Sequence, residues 1–127
     1  MRATLLLAVM LVPAVACRDR AAPAVCTESF AMIPLTVRDQ NGASVQGLSI
    51  TATVLRTETS FTVPQGSAPA GGYTAYDDNF RDRIRTSGDS VRIDGYGGRQ
   101  FSTGFRIDVP GGCHVRKLAG PDTVTAQ

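Results

Sequence analysis

The sequence predicts an all-β sandwich of about seven short strands, and three observations support this. Apolar and polar residues alternate with a period of two in the longest segments, Leu48–Leu55 and Phe101–Val109, which is typical of strands with one buried and one wet face. Clusters of glycine, proline and asparagine separate such segments at short intervals. After Cys17, no window of about eleven residues shows helical spacing. This succession of short strands and turns is the pattern of a sandwich.

The predicted strands follow one another along the chain with a turn signal between neighbours. The first runs through Ile33, Leu35 and Val37, and Pro34 marks it as an edge strand or an irregular start because proline cannot donate to a ladder. The remaining strands are predicted at Leu48–Leu55, Phe61–Val63, Tyr73–Tyr76, Val91–Ile93, Phe101–Val109 and Cys113–Leu118.

The first residues have the pattern of an export signal. Arg2 is followed by the unbroken apolar run Leu5–Val12, which Pro13–Ala16 extends. About twelve apolar residues make a helix of roughly 18 Å, which is too short for the ~30 Å hydrocarbon core of a membrane. We therefore predict a cleaved signal peptide over residues 1–16.

The segment Ala14-Val15-Ala16-Cys17 resembles the lipobox of bacterial lipoproteins, in which the cysteine becomes the lipidated first residue of the mature chain. Leucine is usual at the position of Ala14, so secretion after Ala16 without a lipid is the alternative. The resemblance implies a lipid anchor at Cys17, a tether over 17–29 and a domain over 30–127 held off the bilayer. It also implies an extracytoplasmic location, on the outer membrane or the periplasmic face of the envelope.

The sequence has three cysteines, and an exported chain avoids leaving one thiol unpaired in an oxidising compartment. If Cys17 carries lipid, Cys26 and Cys113 remain as one pair. A bond between them would enclose nearly the whole domain, and chain-entropy estimates give about 4–5 kcal/mol for so long a loop. We therefore predict a Cys26–Cys113 disulfide that joins the entry of the domain to its last strand.

The composition excludes several partners and cofactors. With 13 Lys+Arg against 11 Asp+Glu, the net charge is +2, which is too small for nucleic-acid binding, because neutralising phosphates requires a clustered basic face. One histidine and three cysteines are too few for most catalytic metal centres. We expect no metal and no other cofactor.

The segment Val37–Ile50 (VRDQNGASVQGLSI) resembles the opening hairpin of carboxypeptidase regulatory-like domains. There the pattern is apolar-x-Asp-x-x-Gly-x-x-Val-x-Gly-x-x-apolar. In physical terms, Asp39 can cap the turn through its side chain, Asn41-Gly42 accepts positive φ, and Gly47 permits the return into the second strand.

Two later segments strengthen this resemblance. Gly95-Tyr96 is similar to the Gly-Tyr that follows a central strand in such domains, and Gly112–Val115 (GCHV) is similar to their closing Cys-His-Val strand. The family implies a transthyretin-like, immunoglobulin-like β-sandwich. It implies no peptide cleavage, because in carboxypeptidases this module accompanies the catalytic domain.

Enzyme families with related folds need residues that this chain lacks. Hydroxyisourate hydrolases use several histidines and a C-terminal Tyr-Arg-Gly-Ser, and intradiol dioxygenases bind iron through two histidines and two tyrosines, whereas His114 is the single histidine here. A Cys113–His114 nucleophile pair is disfavoured, because consecutive strand residues point to opposite faces. We expect a disulfide cysteine beside a surface histidine, and no enzymatic activity.

An acidic segment offers a calcium alternative. Asp77, Asp78, Asn79 and Asp82 lie within Asp77–Arg85 (DDNFRDRIR), and their oxygens suit calcium. The interleaved arginines and the lack of EF-hand spacing oppose it. We predict a solvated loop with internal Arg–Asp pairs, and a single helical turn capped by Asp77 or Asp78 is the alternative.

Aromatic and arginine side chains are common anchors of interfaces. We therefore predict a binding surface from Tyr73, Tyr76, Tyr96, Arg92 and Arg99, with burial in the sandwich core as the alternative role. The predicted function is a non-enzymatic, lipid-anchored envelope protein that binds or scaffolds protein or carbohydrate. A freely secreted, disulfide-stabilised binding or inhibitor domain is the alternative.

Overall fold

The computed structural model describes residues 25–127, so the predicted signal peptide, Cys17 and most of the predicted tether lie outside the described residues. Two 3₁₀ helices are present in this part, Asp78–Arg83 and Pro110–Gly112. No helix within it is long and apolar enough to cross a membrane. The strands are β1 (Met32–Arg38), β2 (Ser49–Val54), β3 (Thr59–Val63), β4 (Gly72–Asp77), β5 (Asp89–Tyr96), β6 (Gln100–Asp108), β7 (Arg116–Ala119) and β8 (Thr123–Thr125).

The strands form two sheets, which confirms the predicted all-β sandwich. One sheet has three strands in the order β4-β1-β8, and the other has five in the order β3-β2-β5-β6-β7. Neighbours are antiparallel except for β1 and β8, which pair in parallel. Strand β4 packs against β2 and β3, and β8 packs against β6, so the inner faces of the two sheets enclose the core.

The core is built from the apolar residues that the period of two predicts. Ile50, Ala52 and Val54 of β2 are fully buried. In β6, Ile107 is fully buried and Phe105 is nearly so. Burying a side chain of the size of Ile or Phe contributes roughly 1.5–3 kcal/mol. The alternating pattern therefore sets which face of each strand turns inward.

Residues 25–127 form eight strands, where the spacing predicts about seven. The additional strand is β8, which is only three residues long and gains its hydrogen bonds from parallel pairing with Thr36–Arg38. The closing strand also begins later than predicted, at Arg116. Cys113 instead ends the turn that follows Pro110–Gly112.

Pro34 lies in the central strand of its sheet, so the prediction of an edge strand is wrong. The alternative, an irregular start, is confirmed, because the register with β4 shifts between Ile33 and Pro34. The N–H of Thr36 donates to Asp122 O at 2.8 Å, so the nitrogen of Pro34 points to the same side, beyond the end of β8. Because no residue of β8 lies opposite Pro34, its lack of an N–H costs the sheet no hydrogen bond.

The turn after β1 forms as its sequence predicts. Asp39 Oδ1 accepts hydrogen bonds from the backbone N–H groups of Asn41 at 2.8 Å and Ala43 at 2.9 Å. Gly42 and Gly47 have φ angles of 81° and 76°, a region in which side-chain-bearing residues are strained.

The segment after β4 is a 3₁₀ helix, so the prediction of a loop is wrong and its alternative is confirmed. Asp77 caps the helix, with Oδ1 accepting from the Asn79 N–H at 2.9 Å. The predicted internal Arg–Asp pairs are also wrong. Asp77 is buried, Arg83 lies over the Phe61 ring, and Arg85 pairs outside the segment.

Candidate functional site

Two residues of the predicted binding surface lie in the core, and their inclusion in a surface is wrong. Tyr73 and Tyr76 are buried. The Tyr73 hydroxyl donates to Val45 O at 2.9 Å and accepts from the Leu48 N–H at 3.3 Å. The Tyr76 hydroxyl donates to Phe80 O at 3.0 Å. Both rings fill core volume while each phenol finds a backbone partner, as buried tyrosines do.

The other three predicted residues are exposed. Arg92 and Tyr96 lie on the outer face of β5, and Arg99 follows in the turn to β6. Arg92 Nε donates to Asp94 Oδ2 at 2.9 Å, and Arg99 pairs with Asp39 at 3.5 Å. Tyr96 is 54% exposed. Of these three, Tyr96 is therefore the side chain most open to a ligand.

A groove of about 660 Å³ lies beside Tyr96, between β6 and β8. We call it the edge groove. Among the described residues, those that line it offer amides, hydroxyls and apolar surface but no histidine, cysteine or carboxylate side chain. They are Tyr96, Gln100, Phe101, Ser102, Thr103, Pro121, Val124, Thr125 and Gln127. This chemistry suits binding more than proton transfer or nucleophilic attack.

One edge of β6 is open along this groove. Gln100 and Gln127 exchange two backbone hydrogen bonds of 2.9 Å, and β7 pairs with β6 only from Arg106 onward. Backbone groups of a strand alternate in direction, so those of Ser102 and Gly104 point the same way as those of Gln100. Within residues 25–127, no backbone group pairs with them on that side. On this edge, β6 therefore has two residues, Ser102 and Gly104, whose backbone groups have no partner in the described part of the chain.

A second region is organised by the disulfide. The predicted bond between Cys26 and Cys113 is present, and it joins residues 87 positions apart. Thr27 and His114 each directly follow a bonded cysteine, so the bond brings them together, with Thr27 Oγ1 3.0 Å from His114 Nε2. Sequence reasoning missed this pair, although the predicted disulfide was a signal for it.

The sequence predicts a surface histidine at position 114, and the structure places its ring partly exposed, with a hydrogen-bond partner at each nitrogen. Its side chain is 25% exposed, and Nδ1 lies 2.6 Å from Asp78 Oδ2. The buried Asp78 carboxylate also accepts from the N–H groups of Ala31 and Val115, both at 2.8 Å. Burial alone would raise the pKa of Asp78, but the hydrogen bonds from Ala31, His114 and Val115 outweigh it, and the pKa lies below its usual value.

In the acidic segment considered for calcium, the carboxylate oxygens of Asp77 and Asp78 accept hydrogen bonds from the protein itself. Asp77 caps the first 3₁₀ helix and Asp78 binds two backbone N–H groups. Within the described range, no group of three or more histidine, cysteine or carboxylate residues is arranged to hold a metal ion.

A second buried carboxylate, Asp89, is held by two arginines. Arg56 donates to it through Nε at 2.9 Å and Nη2 at 3.0 Å, and Arg85 donates through Nε and its backbone N–H, both at 2.9 Å. The hydrogen bonds from Arg56, together with those from Arg85, outweigh burial and lower the pKa of Asp89 to about 2. These hydrogen bonds hold the start of β5 against the turn between β2 and β3, which contains Arg56, and against the segment before β5, which contains Arg85.

Comparison of the chain with protein-family models, curated proteins and solved structures gives no match. The resemblance to carboxypeptidase regulatory-like domains therefore stays a prediction. The edge groove and the disulfide region are the two places from which a function can be argued.

Proposed function

We propose that the chain is a lipid-anchored envelope protein that binds an extended segment of a partner protein along β6. The observation that carries this proposal is the open edge at Ser102 and Gly104 beside the edge groove. An extended peptide that adds there as a strand would exchange hydrogen bonds with the N–H and C=O of both residues. In strand addition the main chain supplies affinity and the neighbouring pockets supply specificity.

The edge groove supplies the second part of such recognition. Tyr96 offers an exposed ring, Gln100 an amide, and Ser102 and Thr125 hydroxyls to alternate side chains of a bound strand. We favour protein over carbohydrate because the unpaired groups are backbone groups of a sheet edge, and these match another strand in spacing and direction. The described lining offers no histidine, cysteine or carboxylate side chain, which supports a binding role for this groove.

The lipid anchor and the envelope location belong to the same proposal. The disulfide occupies Cys26 and Cys113, so Cys17 is the remaining cysteine of the sequence. A disulfide is also compatible with an oxidising, extracytoplasmic compartment. Mass spectrometry of the mature N-terminus tests the anchor: we expect acylated Cys17, and an unmodified N-terminal Cys17 would favour the secreted alternative.

Membership of the carboxypeptidase regulatory-like family is likewise proposed. Its support is the turn after β1, where Asp39, Gly42 and Gly47 adopt the roles that the family pattern implies. In that family the module accompanies other activities, which agrees with a binding or scaffolding role.

Strand addition is tested by selecting peptides from a random display library on the full chain in detergent, and then comparing two variants of Gly104. Gly104→Pro removes an N–H that points away from β5, so the ladder with β5 is retained while the edge is blocked. Gly104→Ala keeps the N–H, and its Cβ would meet nothing within 4 Å. We expect selected peptides to bind the alanine variant normally and to lose about 10-fold or more in affinity for the proline variant.

Two further measurements decide the ligand class. A selected peptide that is N-methylated at alternate amides should lose binding, because its donors are removed while its side chains remain. Affinity that is equal for both Gly104 variants would contradict strand addition. Binding to a glycan array that depends on Tyr96 but not on Gly104→Pro would replace the peptide by a carbohydrate ligand.

A further inference from the structure

A continuous chain of side-chain hydrogen bonds lies at the opposite end of β1 from the edge groove. Asp78 Oδ2 is 2.6 Å from His114 Nδ1, His114 Nε2 is 3.0 Å from Thr27 Oγ1, and Thr27 Oγ1 is 2.7 Å from Ser29 Oγ. Ala31, just before β1, also bonds to Asp78. The four side chains come from three separate parts of the sequence.

The direction of each proton in this chain follows from the donors and acceptors. The Asp78 carboxylate can only accept, because its pKa is lowered and it already binds two N–H groups. In the neutral ring, the single proton of His114 is therefore on Nδ1, where it faces the carboxylate, and Nε2 is the acceptor. The Thr27 hydroxyl then donates to Nε2, and Thr27 Oγ1 accepts from the Ser29 hydroxyl. This is the arrangement of a nucleophile, a base and a group that orients the base.

We propose that Thr27 is an acyl-accepting nucleophile, with His114 as its general base and Asp78 as the residue that positions His114. The site adds a reactivity that the binding proposed for the edge groove does not require. Its residues are distinct from those that line the groove, so either proposal can fail without the other.

The reaction is an acyl transfer. Thr27 Oγ1 attacks the carbonyl carbon of an ester while His114 Nε2 takes the hydroxyl proton. A new ester bond forms to Thr27, the bond from the acyl carbon to the leaving oxygen breaks, and the proton passes from Nε2 to that oxygen. Water that enters the same position and gives its proton to Nε2 would hydrolyse the acyl-threonine and return the free hydroxyl.

The surroundings indicate the class of acyl donor. Thr27 is exposed and lies in the irregular segment before β1, so small esters can reach it without a deep cleft. The disulfide holds Thr27 beside His114, which fixes the geometry that an open segment would otherwise lose to conformational entropy. We therefore assign small, activated esters as the donors.

The test uses p-nitrophenyl acetate with the full chain, purified in detergent with its disulfide intact. Release of nitrophenolate is followed by absorbance, and the acetylated residue is located by peptide mass spectrometry. We expect acetyl on Thr27. We expect Thr27→Ser to retain labelling at residue 27, and Thr27→Val to lose it. His114→Gln should lower the rate at Thr27 by about 100-fold, the effect of removing a general base.

Matched variants separate reactivity from structure. Thr62→Val changes an exposed threonine of β3 that lies outside the hydrogen-bond chain. This variant should still be acetylated at Thr27. Circular dichroism checks that each variant is folded, and Thr27→Val, at an exposed position, decides the outcome if His114→Gln does not fold. Acetylation spread evenly over Thr27 and Thr62, or an unchanged rate at Thr27 in folded His114→Gln, would overturn the proposal.

Discussion

Two of the buried carboxylates in the described residues, those of Asp78 and Asp89, have different surroundings. Asp78 and Asp89 are only 4% and 1% exposed, and both have lowered pKa values. Asp89 is bound by two guanidinium groups, from Arg56 and Arg85. Asp78 is bound by two backbone N–H groups and the His114 ring. The two carboxylates are therefore similarly buried but differ in the groups that bind them.

The difference shows how the partner determines what a buried carboxylate can do. Arginine stays protonated at any physiological pH, so the Asp89 cluster has no base and can only hold β5 in place. The His114 ring has two nitrogens, so it bonds to the Asp78 carboxylate through Nδ1 and to the exposed Thr27 hydroxyl through Nε2. We infer a structural role for the first cluster and a chemical one for the second.

Removal of the disulfide should separate the two clusters most strongly. In the double variant Cys26→Ser, Cys113→Ser, the free energy of unfolding should fall by about 4–5 kcal/mol, because a loop of 87 positions is no longer closed in the unfolded chain. Urea unfolding measures this loss. The contact between Thr27 and His114 should be lost as well, while Asp89 keeps its arginines.

Reduction of the unchanged chain is the control for this variant. Treatment with dithiothreitol should reproduce the loss of stability and leave the double variant unaffected. A double variant as stable as the original chain would show that the bond contributes nothing to the fold. Retained acetylation of Thr27 would show that the bond is not what positions the nucleophile.

Truncation of the arginine-bound carboxylate should have the next largest effect. Asp89→Ala removes an acceptor of charged hydrogen bonds and should lower the free energy of unfolding by about 2–3 kcal/mol. The matched control is Asp122→Ala, whose side chain is 90% exposed and pairs with Lys117 at the surface; such positions change stability by about 0.5 kcal/mol or less. Equal values from urea unfolding would contradict a structural role for Asp89.

The sandwich and its disulfide could be predicted from the sequence because both depend on local pattern or on counting. The alternation in β2 and β6 fixes which side chains are buried, and three cysteines with one candidate lipid site leave one pair. Strand β8 could not be predicted, because three residues carry no period and their pairing with β1 exists only in the folded chain.

The candidate sites were predicted less well, for a physical reason in each case. Tyr73 and Tyr76 are as suitable for a core as for an interface, and burial decides between these roles only after folding. Asp78 and His114 lie 36 positions apart with no motif between them. The open edge of β6 depends on which part of β6 pairs with β7. Gly120-Pro121 marks the end of β7 in the sequence, but the pairing itself exists only in the folded chain.

The smallest predicted effect is a difference in acid sensitivity. The pKa of Asp89 is about 2 in the folded chain and 3.8 for an ordinary aspartate. As the pH falls below 3.8, the unfolded state takes up a proton before the folded state does, so stability present above that pH is lost progressively down to about pH 2. Asp89→Asn cannot titrate and should lose less stability in this window, whereas Asp122→Asn should follow the original chain. Urea unfolding at several pH values gives the slope of the free energy of unfolding against pH for each variant.

Parallel slopes for Asp89→Asn and the original chain would contradict this prediction. They would mean that Arg56 and Arg85 do not stabilise the Asp89 carboxylate selectively in the folded state, and the contrast with Asp78 would then rest on geometry alone.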